Sequence, residues 1–136
     1  MNTKELDGYL KFLSEKQTAV QESGFDVEDS DLNPLLFPFQ KYCVKRALKV
    51  GRFAMFEDCG SGKAIQSLEW AQQVINHINK PVLILAPLGV VGQTIKEGEK
   101  FGYKVTEIAI TTFDQDLASG IYITNYDNMD NIDAYL

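Results

Sequence analysis

The 136-residue chain is poor in the residues that hold disulfide-rich or metal-bound folds together. Its two cysteines, Cys43 and Cys59, suggest no disulfide framework, so a reducing cytosol is the expected compartment and the protein is expected to be cytoplasmic. The only histidine, His77, has no Cys or second His at ligand spacing, which argues against a metal site and against a Ser/His/Asp or Cys/His nucleophile.

Long apolar runs are also missing. No stretch approaches the roughly 18 apolar residues of a membrane helix. The first residues, 1–7, lack the basic start and apolar block of a signal peptide. We therefore expect no membrane association.

The chain has no excess of positive charge. Its formal net charge is −6, whereas proteins that bind nucleic acid by themselves usually present a basic face. Lys41, Lys45 and Lys49 recur at helical spacing, which is more typical of a solvated helix face than of a phosphate track. The acidity predicts weak nucleic-acid binding by this chain alone, and it suits a protein partner or a homo-oligomer.

What the sequence does have is the core of a phosphate-binding loop, Gly60-Ser61-Gly62-Lys63, after the apolar run 53–56 and before an amphipathic segment that begins at Ala64. The glycines let backbone N–H groups turn inward as a nest for phosphate oxygens, and the helix N-terminus adds partial positive charge. Lys63 would reach the β- and γ-phosphates. The alternative is an ordinary flexible turn with a surface lysine.

Two positions depart from the strict phosphate-loop pattern. Ala64 stands where Ser or Thr would ligate Mg²⁺, and Glu57 stands where the pattern has glycine. Phosphoryl transfer depends on that metal, so we expect weakened Mg²⁺ binding and little or no hydrolysis. ATP stays a possible ligand of low affinity, and Mg²⁺ an unlikely one. Cys59, inside the loop, is either a thiol activated by the N–H dipoles or a small residue where Thr is common.

Hydrophobic periodicity predicts an α/β fold with a mainly parallel sheet flanked by helices. An N-terminal helix and an acidic connector form a segment 1–36, and residues 37–136 form the α/β unit. Helices are predicted over residues 3–22, 39–50, 63–78 and 89–100, with another beginning within 127–136, and strands over 53–57, 82–86, 104–110 and 121–124.

Four segments, in this order, resemble motifs of the first RecA-like lobe of superfamily 2 helicases, closest to the Swi/Snf-type DEAD/DEAH-box proteins of phages and prophages. They are Phe37-Pro38-Phe39-Gln40, Asp58-Cys59-Gly60-Ser61-Gly62-Lys63, Leu85-Ala86-Pro87-Leu88 followed by Val91 and Gln93, and Ile123-Thr124-Asn125-Tyr126. The resemblance implies a RecA-like partial lobe with a nucleotide site and a nucleic-acid track. The nucleotide site would comprise Gln40, Cys59, Gly60, Ser61, Gly62 and Lys63, and the track would comprise Pro87, Gln93, Asn125 and Tyr126.

The departures from that family predict loss of chemistry. No Asp-Glu pair follows an apolar strand, the sequence stops at Leu136 short of the family's acidic motif, and the second lobe is absent. In the family's sheet, that motif's strand and the next one separate the segments 53–57 and 82–86. We therefore expect the chain to rearrange its strand order, to dimerise or to dock on a partner.

The favoured function is a non-catalytic binding protein derived from a helicase lobe. It would act by protein contact, with a phage-encoded modulator or inhibitor of host machinery, such as a defence system, as the suggested class. Two alternatives stay open: the opening segment of an ATP-dependent DNA translocase, and an ATP sensor that binds the nucleotide without hydrolysing it.

Overall fold

A computed structural model describes residues 3–16, 21–109 and 116–127, and its architecture is α/β. The helices are α1 (Thr3–Lys16), α2 (Pro38–Val50), α3 (Lys63–Ile78) and α4 (Leu88–Phe101), with a short 3-10 helix at Asp29–Asp31; the strands are β1 (Val82–Ala86), β2 (Val105–Glu107) and β3 (Ile121–Asn125). None of the helices in the described ranges has the length and apolar character needed to cross a bilayer.

The three described strands form one parallel sheet in the order β1-β3-β2. Val82 lies opposite Ile121 and Ala86 lies opposite Asn125, so the carboxyl ends of β1 and β3 finish level with each other. The apolar residues of one sheet face pack against α3 and α4. They are Val82, Ile84, Ala86, Val105, Ile121 and Ile123.

The helices form a layer in the order α2, α3, α4 above that face. Helix α4 packs over β2 and β3, α3 packs over β1 and β3, and the main neighbour of α2 is α3. Leu68 and Val44 are fully buried where α3 meets α2. The helix layer consequently extends beyond β1, whereas the sheet ends there.

The helix ends have local causes. Pro38 occupies the first turn of α2, where its missing N–H costs nothing, and Gly51 ends that helix with φ +85°. Helix α3 begins directly after Gly62 and ends at Asn79, whose left-handed conformation (φ 51°) lets its N–H donate to the carbonyl of Ile75.

The connector 21–36 is held against the helix layer by hydrogen bonds. The backbone N–H groups of Ser23, Gly24 and Phe25 donate to carbonyls in the last turn of α2, at 3.1–3.3 Å. Further along, the amide of Asn33 donates to the carbonyl of Phe101 at 3.0 Å. The connector therefore ties α2 to the end of α4.

A buried polar network joins the connector, α3 and the segment that follows α4. The hydroxyl of Tyr103 donates to the carboxylate of Glu69, and the Gln73 amide donates to the other carboxylate oxygen at 2.7 Å. Asn33 donates to the Tyr103 hydroxyl oxygen at 3.0 Å. Burial, with the neighbouring Glu69 next in importance, raises the pKa of Tyr103 above its usual value.

Most predicted elements are confirmed within a few residues, but the predicted strand 53–57 is wrong. Residues 53–58 form neither helix nor strand, because no described strand lies next to them to complete a ladder. The predicted strand 104–110 is confirmed only at Val105–Glu107. Residues 21 and 22, at the end of the predicted helix 3–22, are not helical. Residues 17–20 of that helix lie outside the described residues, as do residue 110 and residues 128–136 of the predicted helical region 127–136.

Candidate functional site

The phosphate loop, residues 58–63, curls into the N-terminus of α3. Gly60 and Gly62 have φ of +82° and +80°, a left-handed conformation that favours glycine. The Ser61 N–H donates to the carbonyl of Asp58 at 3.4 Å, which closes a turn. The predicted loop and the predicted start of α3 at Lys63 are both confirmed.

Lys63 bonds to the loop's own backbone. Its Nζ atom donates to the carbonyl oxygens of Glu57 and Asp58, each at 2.9 Å. The side chain is exposed, so solvent and ligands can reach it. An incoming phosphate would therefore compete with two carbonyl oxygens for this ammonium group.

Gln40 connects the start of α2 to the loop. Its Oε1 accepts the Phe37 N–H at 2.9 Å, and its Nε2 donates to the Ser61 carbonyl at 2.9 Å. Only 5% of Gln40 is exposed, and a Cβ on Gly62 would lie 2.4 Å from that Nε2. Both polar atoms of this predicted nucleotide-site residue are thus engaged, Oε1 by the start of α2 and Nε2 by the loop.

Three residues that the sequence analysis did not assign to the site support the loop from beneath. Fully buried Gln66 donates through Nε2 to Glu57 Oε2 at 2.8 Å. The pKa of Glu57 is lowered by its neighbours, first by Ser61 and then by the Gln66 amide, the Cys43 thiol and the charge of Lys63. The pKa of Cys43 is raised, mainly by burial and next by Glu57. The signal in the sequence was position: Gln66 follows Lys63 by less than one helical turn.

These contacts make the loop's surroundings less favourable to anions. The Glu57 carboxylate stays ionised beside the loop, and Asp58 adds a second acidic side chain at its start. Position 64 carries a methyl group where a hydroxyl would hold Mg²⁺. Cys59, the loop's other predicted site residue, is exposed.

Three of the four residues predicted to line a nucleic-acid track, Pro87, Asn125 and Tyr126, lie toward the carboxyl edge of the sheet. The register of β1 with β3 places Pro87 and Tyr126 just past paired strand ends, and both are exposed. Asn125 ends β3, and its Oδ1 is buried without a hydrogen-bond partner. Gln93 lies along α4 and donates to Glu97 at 3.1 Å, so it is farther from this edge.

Helix α3 runs back toward the amino ends of the strands, because only residues 79–81 separate it from β1. Its N-terminus and the phosphate loop therefore also lie toward the carboxyl edge. In open α/β sheets, ligands bind outside the carboxyl ends of the strands. The phosphate loop and the predicted track residues Pro87, Asn125 and Tyr126 thus lie toward the end of the sheet at which such sites occur.

The basic face of α2 is paired with the connector's acids. Lys45 contacts Asp29 at 2.6 Å, and Lys49 lies 3.4 Å from Asp26. A concavity of about 450 Å³ separates this helix face from the connector, and no loop residue lines it. The lysine stripe is thus a partly neutralised surface, as its interpretation as a solvated helix face predicts.

Within the described ranges, no three His, Cys, Asp or Glu side chains cluster closely enough to hold a metal ion. The candidate site therefore offers N–H groups and one lysine to a phosphate, and a set of carboxylate and amide oxygens beneath it.

The sequence matches no protein-family model and no curated protein. Its resemblance to a helicase lobe therefore depends on the four motif-like segments and on the geometry of the phosphate loop.

Proposed function

We propose that this chain is a non-catalytic protein, derived from the first RecA-like lobe of a superfamily 2 helicase, that acts through contact with another protein. A modulator or inhibitor of host machinery, encoded by a phage, is the class that this ancestry favours. The observation that carries the proposal is the state of the phosphate loop. Lys63 is hydrogen-bonded to the carbonyl oxygens of Glu57 and Asp58, and Ala64 stands where a hydroxyl residue would bind Mg²⁺.

The charge distribution supports the same proposal. A net charge of −6 opposes association with nucleic acid, and Lys45 and Lys49 are already engaged by acidic side chains. Several large apolar side chains are exposed instead, which is more typical of a protein-binding surface. They include Leu35, Phe37, Phe39, Tyr42, Phe53 and Phe56.

A second candidate function, an ATP sensor without turnover, is favoured by the loop's backbone. Gly60 and Gly62 keep the conformation that turns N–H groups inward, and Lys63 is exposed at the N-terminus of α3. Such a site could bind a triphosphate once Lys63 released its two carbonyl partners. A third candidate, a segment of an active translocase, requires hydrolysis that Ala64 disfavours.

Nucleotide titration tests these alternatives. Thermal unfolding of the wild type, Lys63→Ala and Ala64→Thr would be followed with ATP alone and with ATP plus Mg²⁺. We expect no shift for the wild type under either condition, since Lys63 is engaged and Mg²⁺ lacks its hydroxyl ligand. Phosphate release would be measured on the same samples.

The outcomes separate the candidates cleanly. A wild-type shift that Lys63→Ala abolishes would favour the sensor, and a shift that Ala64→Thr gains only with Mg²⁺ would place the lost metal ligand at position 64. Robust ATP hydrolysis by the pure wild type would contradict both the binding protein and the sensor.

A further inference from the structure

The outer edge of β1 carries backbone groups that no strand within residues 3–16, 21–109 and 116–127 pairs with. The Val82 N–H donates to the Gly120 carbonyl at 3.0 Å, and parallel pairing with β3 continues through alternate residues, so Ile84 also bonds to β3. Leu83 and Leu85 therefore direct their N–H and C=O groups away from β3. In the part of the chain that the structure describes, no strand pairs with that edge.

The composition of β1 is that of an interior strand. Its five residues are all apolar, and such continuous runs are typical of strands with neighbours on both sides. Natural edge strands are usually protected by a charge, a proline or a bulge within the strand, and β1 has no charged residue or proline. Only Ala86 is fully buried, while the other four residues are half-buried.

The chain before β1 has the order of a β–α–β unit whose first strand is not formed. Residues 53–58, α3 and β1 follow one another as in a β–α–β unit, whose two strands run parallel beneath the helix. Exposure alternates only over residues 55–57, where Met55 and Glu57 are half-buried and Phe56 is 95% exposed; Phe53 and Ala54 are both exposed. This segment has no ladder partner, and α2 extends over the same side of the sheet.

We propose that the outer edge of β1 binds an extended strand with aliphatic side chains, contributed by a different protein. The inference rests on the proposed function, protein contact without catalysis, and it specifies the chemistry of the partner. The strand would pair with the free groups of Leu83 and Leu85 and continue the sheet beneath α2. Its side chains facing the helices would be aliphatic, because a charge buried there would lack a partner.

A second copy of this chain fits the edge poorly. A two-fold pair could bond there only as antiparallel strands, about an axis perpendicular to the sheet, which puts both helix layers on one face. Paired strands lie about 4.8 Å apart, whereas a helix is about 10 Å wide. Because α2 already extends beyond β1, the α2 helices of two copies would overlap. A single strand brings no helix into that space.

Amide hydrogen exchange on the full chain tests the proposal with a defined probe, the peptide acetyl-Lys-Val-Ile-Val-Ile-Val-Lys-amide. Without peptide, the amides of Leu83 and Leu85 should exchange faster than that of Ile84, which β3 already protects. Saturating peptide should slow exchange at Leu83 and Leu85 at least about tenfold and leave Ile84 unchanged.

Two variants form the matched comparison. Leu83→Pro removes only an outward N–H, which edge strands tolerate, and it should weaken peptide binding at least about tenfold. Leu83→Ala keeps that N–H and should bind the peptide within about threefold of the wild type. Ile84 protection in each variant shows that β1 still pairs with β3. If Leu83→Pro fails to fold, the wild-type exchange data decide the question alone.

Three results would overturn the proposal: Leu83 and Leu85 as protected as Ile84 without peptide, no slowing on saturation with peptide, or full peptide affinity in folded Leu83→Pro. Protection that disappears on dilution of a dimer would assign the edge to a second copy and would also overturn it. If the peptide does not bind the edge of β1, the proposed function can still act through another surface of the protein. ATP hydrolysis by the pure protein would instead contradict the proposed function itself.

Discussion

Gly62 and Gln40 meet where the start of α2 touches the phosphate loop. The Gln40 amide donates to the Ser61 carbonyl, and the space that this contact needs exists because residue 62 has no Cβ. Gly60, two residues earlier, has nearly the same φ but open space around it. Comparing Gly60 with Gly62 therefore distinguishes the cost of the left-handed backbone, which both share, from the cost of the contact with Gln40, which only Gly62 makes.

We predict that Gly62→Ala destabilises the fold more than Gly60→Ala does. Either alanine forces a left-handed residue, at a cost of about 1–2 kcal/mol. Alanine at 62 also displaces the buried Gln40 amide from Ser61, which adds about 1 kcal/mol. Urea unfolding of both variants measures the difference, and equal losses would mean that Gln40 does not constrain the loop.

The contact between α3 and the end of α4 depends on polar groups as much as on apolar ones. Glu69 is 2% exposed, and its carboxylate accepts from Tyr103 and from Gln73. A buried carboxylate that loses a donor keeps its desolvation cost, so each partner matters more than an exposed pair would.

Tyr103→Phe should therefore lower the free energy of unfolding by about 1–3 kcal/mol. Tyr42→Phe is the matched control, because Tyr42 is 71% exposed, and its change should stay within about 0.5 kcal/mol. Urea midpoints at pH 7 give both values. Equal midpoints for the two variants would show that Glu69 is satisfied without Tyr103.

The same tyrosine gives a pH dependence. Its pKa is raised in the folded chain, so its stabilising contribution is complete below its ordinary pKa of 10.0 and is lost as the pH rises above that value. The unfolded chain releases that proton first, which favours unfolding. Urea midpoints between pH 8 and about 11 should fall more steeply for the wild type than for Tyr103→Phe.

The elements that the sequence predicted well are those with their own local signals. Helix α3 follows from its apolar stripe and from the glycine before Lys63, and β1 follows from an uninterrupted apolar run after Pro81. Residues 53–57 carry the same kind of signal and still form no strand, because a strand exists only when another strand bonds to it. That partner is a property of the whole sheet and cannot be read from the segment.

The site shows the same division. Gly60, Gly62 and Lys63 indicate the loop in the sequence, so its place before α3 was predictable. The bonds from Lys63 to the Glu57 and Asp58 carbonyls were not, since any donor near several acceptors has several possible partners. Gln66 became part of the site only once the helix brought it beneath Glu57.

At the scale of the whole molecule, the connector 21–36 acts as a strap across the helix layer. Gly24 lies so close to α2 that a Cβ there would be 1.7 Å from the Leu48 carbonyl oxygen. The surface ion pairs along the strap, such as Lys45 with Asp29, are exposed and contribute little. Backbone contact and buried groups therefore hold the strap.

We predict that Gly24→Ala lowers the free energy of unfolding by about 2–3 kcal/mol, since the strap must move away from α2. Gly89→Ala is the control, because Gly89 lies in the first turn of α4 with open space around it. Alanine there should raise the free energy of unfolding by about 0.5–1 kcal/mol. Thermal or urea unfolding distinguishes the two. A Gly24→Ala chain as stable as the wild type would mean that the strap contributes nothing.

The unpaired outer edge of β1 also affects how the protein should be expressed and stored. An exposed apolar strand edge can pair with other exposed strands, including those of unfolded protein molecules nearby. The backbone groups of this edge should accordingly limit the solubility of the protein, and Leu83→Lys or Leu85→Lys should raise that solubility. Co-expression with a strand-donating partner would do the same.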